Sequence, residues 1–204
     1  MRIEPVDEIG FAFGWIVADE MVRRTSHALV DDGAVWLVDP LDWDGLEERV
    51  AAHGEVRGVI QLIGRHARDG AALAERFGVP LHRVPRVPPP GSPFHVLGVL
   101  DVPTWREVAL WWPERHTLAC GDALGSAGYF RAPDEPLGVH PLLRLKPPRR
   151  LRDLPAEHVL CGHGEGRHGP GTAGELERAV ATARRRLPAA WVNAVRRRGS
   201  EPPA

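Results

Sequence analysis

The stretch VRGVIQLI, residues 56–63, is almost continuously apolar, and a strand of that character must be covered on both faces. It leads into GRHARDGAALAERFGVP, residues 64–80, where Leu73 and Phe77 share one face of a short helix and Gly78 ends it. Upstream, SHALVDDGAVWLVDP reads as two strands, 28–30 and 34–38, joined by the two-residue hairpin signal Asp32-Gly33. Between them and residue 56, DWDGLEERVAAHG is a helix with Leu46 and Val50 on one face and Gly54 as its stop. Downstream, PLHRV, HVLGVLDV, EVALWWP, TLACGDAL and HVLCGHG are strand candidates, and TAGELERAVATARRRL sets Leu176, Val180, Ala183 and Leu187 at helical spacing. Residues 124–150 read as an irregular excursion. The order implies an α/β (α+β) chain in which two sheets pack face to face with helices on the outside, four layers in all. We expect one domain over residues 1–187, then a basic C-terminal helix and disordered tail over 188–204.

The rest of the sequence narrows the function classes. The first twenty residues carry Glu4, Asp7 and Glu8 and no long apolar core, so no signal peptide is read, and no run approaches the roughly 18 apolar residues of a membrane span. A soluble, cytoplasmic protein is expected. Cys120 and Cys161 are the only cysteines, too few for a disulfide framework and wrongly spaced for a zinc finger. Net charge is -1, which gives no general attraction to nucleic acid or membrane. Six arginines crowd the C-terminal segment (184–186 and 196–198), where the helix dipole and solubility explain them better than RNA binding does. The glycine-rich CGHGEGRHGPG lacks the ending of a P-loop, and no GxSxG elbow is present.

Three strand ends can carry chemistry. LIGRHARDG offers His66 and Asp69, CGDALG offers Asp122, and CGHGEG offers His163, each beside glycine. Imidazole and carboxylate suit zinc or another divalent transition metal, and an ion held with one open position would bring the pKa of bound water to about 7. The other histidines considered, His53, His82, His116, His140 and His168, read as surface or hydrogen-bonded residues.

In order and spacing these segments resemble the metallo-β-lactamase fold superfamily, from about Ser26 to Arg184. VWLVDP is similar to the strand whose terminal Asp, here Asp39, supports the metal loop. GRHARD resembles HxHxDH, EVALWWPERHTLACGDAL the hairpin ending in the metal-bridging Asp122, and HVLCGHGEG the last motif, whose histidine is His163. The resemblance implies an αββα sandwich of metallo-β-lactamase type. It also implies a divergent hydrolase of esters, thioesters or related small molecules, with at most one metal.

In that reading His66, Asp122 and His163 bind the ion, Asp69 is a fourth ligand or general base, and Asp39, Arg65 and Arg68 support them. The motif is degenerate: Gly64 stands for the first histidine, Arg68 for the aspartate and Asp69 for the last histidine. The superfamily's next histidine has no clear counterpart, Asp101 and His95 being nearest in register. Two unit charges 4 Å apart interact by about 4 kcal/mol at an effective dielectric of 20, so a permanent cation at Arg68 opposes a second metal. We expect Arg68 to fill that space and pair with Asp122 or Asp69. The alternative is a metal-free relative, a ligand-binding or protein-interaction module in which Arg65 or Arg68 closes the site.

Overall fold

The computed structural model describes residues 1–66 and 68–198. The first sheet has six strands: β1 (Ile3–Ile9), β2 (Ala12–Val17), β3 (Thr25–Asp31), β4 (Ala34–Val38), β5 (Glu55–Gln61) and β6 (Leu81–Arg83). They lie side by side in chain order. The first four form an antiparallel meander, and β4, β5 and β6 are parallel. Parallel neighbours need a crossover, which α1 (Leu46–Ala51) and α2 (Gly70–Phe77) supply. The apolar run read from the sequence is β5, and its last four residues are buried.

The second sheet contains β7 (His95–Val102), β8 (Trp105–Trp112), β9 (Thr117–Cys120), β12 (His158–Cys161) and β13 (Arg167–His168), in the order β13-β12-β9-β8-β7. The excursion between β9 and β12 holds a two-stranded ribbon, β10 (Leu124–Gly125) and β11 (Gly138–Val139). Two helices follow, α3 (Thr172–Thr182) and α4 (Leu187–Arg198). Of the basic helix and tail expected over 188–204, residues up to Arg198 belong to α4, and residues 199–204 lie outside the described residues.

Three apolar layers bind these pieces. Trp36, Val38, Ile60 and Leu62 meet Val108, Leu110, Trp112 and Leu160 between the sheets. Leu46, Val50, Leu73 and Ala74 cover the first sheet from outside. Leu176, Ala179, Val180 and Ala183 cover the second. The layers are therefore αββα, as the sequence implied. Among the described residues no helix is long and apolar enough to cross a membrane.

The N-terminal hairpin β1–β2 was not read from the sequence. IEPVDEI carries a proline and three acids, which suit an edge strand, and its pairing with β2 shifts register between Val6 and Ile9.

Candidate metal centre

Parallel strands of one sheet end at the same edge, and here the C-terminal ends of both sheets' parallel pairs open together. His66 follows β5 in the first sheet, while Asp122 follows β9 and His163 follows β12, parallel neighbours in the second. The loops after β9 and β12 touch backbone to backbone: a Cβ on Gly162 would stand 2.8 Å from the Gly121 carbonyl oxygen. Only glycine permits that approach, and it brings Asp122 and His163 to one point.

One ligand atom from each of His66, Asp122 and His163 falls within 4.8 Å of the others. Asp122 Oδ1 lies 2.9 Å from His163 Nε2 and 3.1 Å from His66 Nε2. Neither contact has hydrogen-bonding geometry, so this buried oxygen is left without a hydrogen bond. The far nitrogens explain why. His163 Nδ1 stands 2.8 Å from the Val22 carbonyl oxygen, and His66 Nδ1 3.3 Å from Asp39 Oδ2. Both of those oxygens only accept, so each Nδ1 carries the hydrogen and each neutral Nε2 presents a lone pair. Three electron-pair donors thus converge, an arrangement that can hold a metal ion. Carboxylate or carbonyl groups behind imidazole ligands are the usual support of a metal.

Electrostatics follow the same geometry. Burial works against the charge of Asp122, but the His163 and His66 imidazoles, where they carry a proton on Nε2, hold its carboxyl below the usual range by hydrogen bonding and charge. Burial also lowers the pKa of His163, only partly offset by Asp122, whereas at His66 the carboxylates of Asp122 and Asp39 outweigh burial and raise it. Asp39 is itself fixed: its Oδ1 accepts the Leu62 amide at 2.9 Å, and its backbone is left-handed, φ 42°.

The remaining site residues fall differently from expectation. Arg65, not Arg68, pairs with Asp122: its Nε and Nη2 both donate to Oδ2, the former at 3.1 Å, and its guanidinium lies 3.6 Å above the Trp105 ring. Arg68 donates instead to the carbonyls of Thr25, Asp39 (2.7 Å) and Gly162 (3.0 Å). Its backbone is left-handed, φ 36°, and its guanidinium lies between the sheets near Asp39 and Asp122 but directs its hydrogen bonds to carbonyls rather than to the carboxylates expected as its partners. Asp69 is not brought to the centre. It precedes α2 as N-cap, and its Oδ2 accepts the Asp42 amide at 2.8 Å, outside the group formed by His66, Asp122 and His163. Asp101, one of the two stand-ins for the missing histidine, pairs with Arg86, and His95 opens β7 opposite Trp111.

Two residues of the surroundings were missed. Glu107 on β8 is buried; its Oε2 accepts Trp105 Nε1 at 2.8 Å and its Oε1 the Ala123 amide at 2.6 Å. It therefore braces both the ring under Arg65 and the loop that carries Asp122. Phe130 stacks on His163, ring centres 5.2 Å apart, and packs edge-on against His140. His140 is hydrogen-bonded, as read, with Nδ1 accepting the Leu142 amide, and burial pushes its pKa down to about 4.

No protein-family model and no curated protein matches this sequence. Solved structures do. The DIM-1 metallo-β-lactamase superposes with a TM-score of 0.55 at 14% identity, over 90% of this chain and 98% of its own. A metallo-β-lactamase from Pontibacter korlensis gives 0.59 at 13% identity, over 88% and 99%, and one from Hirschia baltica 0.56 at 12%, over 88% and 98%. The chain has the metallo-β-lactamase fold. Within that fold, at such low identity, what the site binds and does has to be argued from this chain's own side chains.

Proposed function

We propose that the protein is a divergent hydrolase that uses a single divalent transition metal, zinc being the natural candidate, on a small ester, thioester or related substrate. The observation carrying this reading is the convergence of three lone pairs, His66 Nε2, His163 Nε2 and Asp122 Oδ1, each on a side chain fixed from behind. A metal held there supplies a Lewis acid and an acidified water at neutral pH. Asp122 divides its labour, Oδ1 facing the imidazoles and Oδ2 tied to Arg65. Arg65 is 40% exposed, so its unengaged N–H groups can meet a carbonyl oxygen as negative charge grows on it. The Trp105 face beneath keeps the guanidinium from swinging away, and the aromatic wall of Phe130 and His140 limits water on the far side of His163. Arg68, a fixed cation beside the ligands, is the reason for one metal rather than two.

The same Arg65–Asp122 pair supports a second reading, a metal-free pocket for a small ligand, and one experiment separates them. Purified protein is loaded with zinc, desalted and assayed for metal and for hydrolysis of nitrophenyl esters and acyl thioesters. We expect one zinc per chain at this site with measurable turnover, and His163→Ala to lose that equivalent and the turnover with it. Protein that retains no metal, or a variant that hydrolyses as fast as its parent, rejects the metal-dependent reading.

A further inference from the structure

At the opposite end of β12 lies a second group of imidazoles that the proposed hydrolytic site does not use. His158 opens β12 and His168 closes β13, and the two stand directly opposite each other across this antiparallel pair. Side chains of opposed residues leave the sheet on the same face. Their Nδ1 atoms are 3.1 Å apart, with ring centres at 5.2 Å. Two imidazole nitrogens bound to one ion at about 2.0–2.1 Å are separated by about 2.9 Å at a right angle and about 3.4 Å at a tetrahedral one. The observed distance falls inside that interval.

One of the rings is already oriented as a ligand. His168 Nε2 stands 3.0 Å from Asp7 Oδ1, and that buried carboxylate also accepts the Gly166 amide at 2.8 Å and faces His27 Nε2 at 2.9 Å. A carboxylate so placed can only accept, so Nε2 of His168 holds the hydrogen and Nδ1 turns its lone pair toward His158. A buried carboxylate behind an imidazole whose other nitrogen faces outward is the arrangement that fixes metal-binding histidines. Asp7 adopts a left-handed backbone, φ 54°, where β1 shifts register against β2, and that bend aims its side chain at β13. His168 is 29% exposed, which leaves room for water in the remaining coordination positions.

We infer that His158 and His168 form a second, edge-of-sheet clip for a borderline divalent ion such as zinc, copper or nickel, with Asp7 as the positioning residue. Without metal, His158 Nδ1–H donates to His168 Nδ1; on binding, His158 takes the tautomer with its hydrogen on Nε2, and both Nδ1 lone pairs face the ion. The clip pins the two strands joined by the turn that carries His163, yet the five-residue step from His158 to His163, about 16 Å if extended, separates the two sites. Its occupancy is therefore independent of the site at His66.

The test counts zinc retained per chain by equilibrium dialysis and records the spectrum of copper-loaded protein by electron paramagnetic resonance. Because His168→Ala would also strip Asp7 of a partner, His158→Gln is the variant of choice. Wild type should bind two equivalents, His158→Gln one, His163→Ala one, and the double variant none. Copper in His163→Ala should show coupling to two imidazole nitrogens, lost on adding His158→Gln. Equal stoichiometry in wild type and His158→Gln, with an unchanged copper spectrum, overturns the clip. A wild type holding one equivalent that survives His163→Ala and disappears in His158→Gln sustains the clip and rejects the site at His66.

Discussion

Glu107 touches no proposed ligand atom, yet it braces the ring beneath Arg65 and the loop bearing Asp122. Burial first, and then the charge of Asp122, pushes its carboxyl up to about 7 from an ordinary 4.5. In metal-free protein the folded state then keeps a proton that the unfolded chain releases between those two values. Glu107 accordingly lowers stability as pH rises through that window, by at most about 1.4 kcal/mol per pH unit, and adds no further slope above it. Glu107→Gln, fixed in the uncharged form, should lose this slope, seen as urea midpoints that diverge from wild type between about pH 5 and about pH 7. Parallel midpoints would remove Glu107 from the account. Its role was illegible in the sequence because Trp105, Glu107 and Ala123 meet only once β8 and β9 have paired. The ligand loops, by contrast, were legible as polar residues beside glycine at the ends of apolar runs. What Asp69 does was not legible, because its carboxylate meets a distant partner, the Asp42 amide 27 residues away.

At the level of elements, strands β3, β4 and β5 could be read because hairpin chemistry and unbroken apolar runs are local signals. The hairpin β1–β2 could not, since its polar edge strand is held by distant partners. Asp7 shows what that strand contributes, tying β1 to His27 on β3 and His168 on β13. Although burial disfavours its charge, hydrogen bonds from His168 and His27 hold its carboxyl well below the usual 3.8. Stability from this group is thus complete above that unfolded value and is lost as pH falls below it toward the folded one. Asp7→Asn should cost about 3 kcal/mol near neutrality, as breaking a buried charged network does, and the deficit should shrink in acid. Urea titrations near pH 7 and near pH 3 measure both. A deficit of equal size at the two values would mean that shape, not charge, is what β1 supplies.

Across the whole molecule, the three proposed ligands belong to different sheets: His66 hangs from the first, Asp122 and His163 from the second. Arg68 already spans the same gap, joining Thr25 and Asp39 to Gly162 through their carbonyls. An ion bound between the sheets would add a further tie, one that exists only when both sheets are in place and that the unfolded chain cannot form. Zinc at a hundredfold excess over its dissociation constant should then stabilise the fold by about 2.7 kcal/mol. For a chain of this size that raises the melting temperature by roughly 5–11 °C. A chelator should reverse the rise. His163→Ala should abolish most of it, leaving only the share due to the clip at His158, which joins strands of one sheet. The distribution of the effect is as informative as its size. Amide exchange should slow in β5 and β12 alike, because each sheet is held through the other. Protection confined to β12 and β13 would place the ion at the clip alone.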